Sequence, residues 1–206
     1  MAANVVILDY GSGNLRSAER AVARTGADVT VTSDLAAAAA ADGLVVPGVG
    51  AYAACMAGIE ALGAGPVIAD RVAAGKPVLG ICVGMQVLFD SGVEHGVETK
   101  GLGLLPGSVT KLSAERIPHM GWNTVEVAAG SRLLAGLAPD ERFYFVHSYA
   151  AQDLAALGDA AVTTAAHDLP FAAVVEAGAL SAAQFHPEKS SDAGYLLLRN
   201  WVAGLE

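Results

Sequence analysis

Apolar residues in the first half of the chain fall into short unbroken runs, separated by stretches with helical spacing. Asn4–Leu8 is such a run, of the kind buried on both faces of a sheet. Helical spacing follows over residues 14–25. Runs at 29–32 and 44–46 predict two more strands, the second ending at Pro47-Gly48. The alanine tract at 36–41 predicts a helix by propensity alone. Residues 66–74 predict a helix with proline in its first turn, where the missing N–H costs nothing. Residues 77–81 predict a strand, and 83–89 the start of a helix. This β-α alternation points to a mostly parallel sheet with helices on both faces.

The second half has a different rhythm. Strand-like runs at 109–112, 124–127, 142–147, 161–166, 172–176 and 180–185 are separated by Gly, Pro and Asp turns. Local antiparallel pairing is expected there. A helix closes the chain over 192–202. With no repeat and no linker, the 206 residues read as one domain, 1–206. The expected fold class is α/β: a doubly wound, mostly parallel central sheet, with an additional antiparallel strand region in the second half.

Composition narrows the function classes. The chain is 53% hydrophobic and 16% charged, so it is globular rather than disordered. The formal net charge is −9 and no Lys/Arg cluster occurs, which argues against a nucleic-acid partner. The two cysteines form neither a disulfide framework nor a zinc-ligand spacing. No metal and no cofactor are expected. The N-terminal residues lack a basic, apolar leader, and no apolar run reaches the ~20 residues that span a bilayer. No membrane association is expected, and the chain reads as cytoplasmic, with reduced thiols.

Two segments carry chemistry. The first is Gly80-Ile81-Cys82-Val83-Gly84, where a strand feeds into a turn and a helix. A nucleophile at such a turn is held in a strained conformation, and glycines two before and two after leave room for it. Helix N–H groups just beyond favour a thiolate and an oxyanion. A lone cysteine is otherwise a buried small hydrophobe, which is the reading taken for Cys55. The second segment is His186-Pro187-Glu188. Side chains at i and i+2 of an extended strand point the same way, with Cα atoms ~6.5–7 Å apart. Proline stiffens the frame. The carboxylate can take one ring nitrogen and leave the other for a thiol. Cys82, His186 and Glu188 thus read as nucleophile, base and orienter of an acyl-transfer site. The loop Pro47-Gly48-Val49-Gly50 follows a strand and can uncover backbone N–H groups. Val83 and, from this loop, Gly50 are the candidate oxyanion donors.

With these pieces in place, the chain resembles the class I (triad) glutamine amidotransferases over nearly its whole length. Within that family it is most similar to the glutaminase subunits that serve imidazole glycerol phosphate synthesis. Besides the loop and the two segments above, the resemblance rests on Leu8-Asp9-Tyr10-Gly11-Ser12-Gly13-Asn14-Leu15, Pro118-His119-Met120-Gly121-Trp122-Asn123 and Tyr144-Phe145-Val146-His147-Ser148-Tyr149. Val83 departs from the more common leucine, a change that leaves its backbone donor intact. The resemblance implies a flavodoxin-like sheet and the triad Cys82, His186 and Glu188 acting on glutamine. It implies glutamine contacts at Gln86, Ser148 and Tyr149. It implies a partner, the TIM-barrel cyclase subunit of imidazole glycerol phosphate synthase, to which ammonia passes in histidine biosynthesis. Interface roles fall by the same likeness on Lys189, Tyr144, Asn14 and Trp122, and on the backbone of residues 11–13. Glutaminase activity in this family is low until the partner binds its ligand. His119 and His147 are read as structural. A glutaminase of pyridoxal phosphate synthesis, a cysteine hydrolase acting on γ-glutamyl peptides, and a non-catalytic module remain competing readings.

Overall fold

The computed structural model describes residues 2–205; Met1 and Glu206, the two ends of the range read as one domain, lie outside the described residues. In chain order the elements are β1 (Asn4–Leu8), α1 (Leu15–Ala23), β2 (Asp28–Thr32), α2 (Leu35–Ala40), β3 (Gly43–Gly48), α3 (Tyr52–Leu62), α4 (Ala64–Ala73), β4 (Val78–Cys82) and α5 (Val83–Gln86). Then come β5 (Phe89–Glu94), β6 (Val97–Lys100), β7 (Leu105–Lys111), β8 (His119–Asn123), β9 (Phe143–His147) and β10 (Tyr149–Ala151). The last are β11 (Ala161–His167), β12 (Leu169–Ala177), β13 (Leu180–Ala183) and α6 (Ser191–Ala203), with a 3-10 turn at Pro187–Lys189 before α6.

The central sheet has seven strands in the order β11-β12-β13-β4-β3-β1-β2. The neighbours from β13 to β2 pair in parallel, while β11 and β12 run antiparallel at one edge. The parallel part follows the flavodoxin-like 2-1-3-4-5 order, with β13 as the fifth strand. Every residue of β3 and β4 is buried, as parallel strands covered on both faces require. α1 packs against α6, while α2 and α3 pack against α4. A second sheet, β10-β7-β5-β6, and the pair β8-β9 complete the fold. No single described helix is long and apolar enough to cross a membrane.

The structure moves several expected elements. The helix expected over 83–89 is one turn, Val83–Gln86, and Phe89 already opens β5. Tyr52 packs against β5 where a side chain at Gly92 would lie, and its hydroxyl sits where one at Gly101 would lie. The strand expected at 124–127 is only an isolated bridge between Glu126 and Thr164; the strand proper is β8, just upstream. The helical surroundings of Cys55 extend to a full helix, α3, whose buried stripe is Tyr52, Cys55, Met56 and Ile59. Strands β5, β6 and β10 carry too little alternation to be read.

Candidate active site

Cys82 is the last residue of β4 and has φ 56° and ψ −115°, a left-handed conformation that a side chain rarely adopts. Such backbone costs of order 1–3 kcal/mol and persists only where its surroundings enforce it. Gly84 is one enforcing position: a Cβ there would sit 1.9 Å from the Val46 carbonyl oxygen. At Gly80 a Cβ would meet Leu88 at 2.7 Å and the Gly84 oxygen at 2.8 Å. Both glycines are therefore demanded by packing, so β4 and α5 can pass close enough to turn Cys82 out at the strand end.

His186 follows β13, the neighbour of β4, which brings the two side chains to the same carboxyl end of the sheet. Its φ of −99° and ψ of 96° are the extended conformation imposed by the following proline. The turn is pinned on both sides. The His186 N–H donates to Tyr144 O at 3.1 Å. Ser190 Oγ donates to His186 O at 2.6 Å and accepts from Tyr144 N at 2.9 Å. His186 Nδ1 lies 2.7 Å from Glu188 Oε1, with both side chains 3% exposed. Cys82 and the imidazole line the same cavity. Burial alone would lower the imidazole pKa. Hydrogen bonds and charge from Cys82 and Glu188 outweigh it and raise the pKa to about 9.

A cavity of about 230 Å³ opens over these groups. That is smaller than the ~300–1,000 Å³ of typical small-molecule pockets and suits a single amino acid. It is lined by Cys82, His186, Val83, Gly50, Gln86, Ser148, Tyr149 and Lys189 from the sequence-derived set. Glu188 stands behind His186 rather than in the cavity wall. Of the remaining candidates, Asn14 precedes α1 in a narrow cleft with Pro47, His186 and Glu188. Tyr144 lies edge-to-face with the half-exposed Trp122, ring centroids 5.9 Å apart. The cavity is also lined by Val49, from the loop expected to supply an oxyanion donor, by His147, expected to be structural, and by Glu94 and Val146, which had no expected role. Glu94 stood on an unread strand; its Oε2 accepts from Tyr52 N at 3.0 Å. Gln184, 1% exposed, was also missed as a site residue; its Nε2 is 3.9 Å from Cys82 Sγ. Gln86 gives both amide hydrogens to the protein, to Tyr149 O at 2.9 Å and Gln184 Oε1 at 3.0 Å. It can therefore offer a ligand only its carbonyl oxygen.

The loop at 47–50 is tied to the opening segment. Tyr10 donates to Pro47 O at 2.5 Å. Ser12 Oγ accepts from Val49 N at 3.1 Å and donates to Val49 O at 2.9 Å, with Cys55 Sγ 3.2 Å away. The Val49 N–H is thus taken by a side chain. Among the described residues no group of His, Cys, Asp and Glu could hold a metal ion. A second cavity, at the amino ends of β4 and β13 between Pro77, Arg132 and Trp201, is lined by neither a cysteine nor a histidine.

Comparison with known proteins agrees with this geometry. The model of the family "Glutamine amidotransferase class-I" matches residues 6–204. The imidazole glycerol phosphate synthase subunit HisH of Mycobacterium bovis is 63% identical over 204 residues, covering 99% of each chain. The HisH subunit of Streptomyces avermitilis is 57% identical over 210 residues, covering 99% of this chain and 98% of its own. The structure of PurLQS from Thermotoga maritima matches with a TM-score of 0.73 over all of both chains at 18% identity, which speaks to fold alone. By its fold, its matching residues and its relatives, the chain belongs to the class-I glutamine amidotransferases, among the HisH subunits of imidazole glycerol phosphate synthase.

Proposed function

We propose that this chain hydrolyses glutamine to glutamate and ammonia, and that it passes the ammonia to a cyclase subunit making imidazole glycerol phosphate. The observation that carries the chemistry is the buried 2.7 Å contact between His186 and Glu188 beside the strained Cys82. In this reading Cys82 Sγ attacks the side-chain amide carbon of glutamine. The amide oxygen becomes an oxyanion beside the Val83 N–H, with a second donor coming from the loop at Gly50. Protonated His186 gives its proton to the departing nitrogen, and ammonia leaves a thioester on Cys82. Neutral His186 then takes a proton from water, which attacks the thioester and releases glutamate. Glu188 holds the ring orientation and supports the imidazolium. Gln86, Ser148 and Tyr149 line the wall that meets the substrate, and the Glu94 carboxylate suits its α-ammonium group.

Released ammonia would become ammonium in neutral water and lose its nucleophilicity, so a closed route to a partner is needed. Support for a docking face near the site comes from exposed apolar groups: Val49 is 40%, Met120 66% and Trp122 50% exposed. We assign Trp122, Tyr144, Lys189 and Asn14 to that face, against a TIM-barrel cyclase. The free thiols Cys55 and Cys82 fit a cytoplasmic setting. The test is ammonia release with the partner present. Cys82→Ala should abolish it; unchanged release would overturn the assignment.

A further inference from the structure

Strand β8 turns two faces in opposite directions. Met120 and Trp122 point outward, while His119 is 5% exposed and lies in register with His147 on β9. Three contacts run in line from β8 to the cavity. Asn123 Nδ2 is 3.2 Å from His119 Nε2, His119 Nδ1 is 2.9 Å from His147 Nε2, and His147 Nδ1 is 3.0 Å from Tyr149 O. Only one arrangement of protons satisfies all three. The Tyr149 carbonyl can only accept, so His147 carries its proton on Nδ1. Its Nε2 then accepts, and His119 must donate from Nδ1. That leaves His119 Nε2 to accept from Asn123. The Asn123 amide is fixed independently: its Oδ1 accepts from Thr124 N at 2.9 Å and its Nδ2 donates to Ala166 O at 2.9 Å. Both ends of the chain therefore dictate the same direction.

The surroundings hold the rings in place and neutral. His119 is stacked between His167 and Phe145, at centroid distances of 4.5 and 4.7 Å. Burial, with a smaller contribution from His167, lowers the pKa of His119 to about 4. Burial also lowers that of His147, to about 3, against the pull of the Tyr149 carbonyl. The chain ends where Gln86 also donates, and Gln86 continues through Gln184 towards Cys82.

We propose that Asn123, His119 and His147 form a one-way positioning relay that sets the Ser148–Tyr149 wall of the cavity. The relay governs how well the cavity holds glutamine, not how fast the thiol attacks. This role rests on the glutaminase reading above, and none of the three is a catalytic residue. Two measurements test it. The first is glutamine KM and kcat for the complex with the cyclase partner and its ligand, in wild type, His119→Phe and His119→Asn. Phenylalanine keeps the stack but leaves His147 Nε2 without a donor; asparagine keeps a donor near the Nδ1 position. KM should rise about tenfold in His119→Phe with kcat within about threefold, and His119→Asn should recover most of the loss. Equal KM values, or a loss that asparagine does not recover, overturn the relay. The second is 15N chemical shifts of the histidine rings in the wild-type chain, which should show Nδ1–H at both His119 and His147. An Nε2–H tautomer at either ring overturns the relay whether or not the chain turns over glutamine. Absence of ammonia release in wild type would instead overturn the glutaminase reading.

Discussion

At the scale of single residues, the site depends on a charge held where burial disfavours it. The imidazole of His186 is raised to about 9 because Cys82 and Glu188 outweigh its desolvation. The group gains a proton more readily folded than unfolded, where its pKa is about 6.5. Its stabilisation is therefore fully present below pH 6.5 and lost as pH rises through about 9. Thermal melts should show a lower Tm at pH 9.5 than at pH 6, with a smaller difference in His186→Gln. In the proposed mechanism the same proton is given to the departing ammonia. The pH profile of kcat/KM should fall on its alkaline side near pH 9. Glu188→Gln should shift that limb to lower pH and reduce kcat by about 10²–10⁴. Packing sets an equally sharp requirement at Gly84, where a Cβ would lie 1.9 Å from the Val46 oxygen. Gly84→Ala should cost about 3 kcal/mol or more in denaturant unfolding, as the elbow is forced apart.

At the scale of elements, the carboxyl ends of β3, β4 and β13 bring the loop, the thiol and the imidazole to one place, as parallel sheets do. The loop after β3 is held by Ser12, which occupies the Val49 N–H. Ser12→Ala should loosen it and raise partner-free ammonia release about tenfold, a fraction of the ~10²–10³ that one oxyanion donor contributes. A partner-free rate no higher than wild type would remove Ser12 from that role. Elsewhere, α4 buries Arg71, 2% exposed, against the Ala38, Ala39, Ala41, Asp42 and Pro77 carbonyls, closing the end of α2. Arg71→Leu orphans those acceptors and should cost about 2–4 kcal/mol in chemical denaturation, with KM for glutamine unchanged. The parallel strands were legible because burial on both faces makes them continuous apolar runs. The grouping of Cys82, His186 and Glu188 was legible because each lies in a short local frame, a glycine-flanked cysteine and a His-Pro-Glu. What escaped depends on distant packing. The helix after Cys82 stops at Gln86 because the chain turns into β5, and Glu94 and Gln184 join the site only through tertiary contact. Helix α3 was legible only around Cys55, and its start escaped because a small residue rather than a clear cap precedes it.

At the scale of the whole molecule, one end of the sheet gathers the cavity, the tied loop and the exposed apolar groups. The contacts run from Trp122 to Tyr144, and the Tyr144 carbonyl accepts from His186 N. On the proposed docking face, a partner seated on Trp122 would bear on the strand that anchors the His186 imidazole. Trp122→Ala should weaken binding of the cyclase by about tenfold or more in titration calorimetry, while the isolated chain keeps its Tm. In the proposed function, Cys82 releases ammonia from glutamine for use by a second subunit. The direct measurement is ammonia release and its transfer into product by the wild-type and Cys82→Ala chains, each with and without a cyclase subunit and its ribotide ligand. Wild type with the liganded partner should release and transfer ammonia, the chain alone should release little, and Cys82→Ala should release none. Undiminished release by Cys82→Ala would contradict that function.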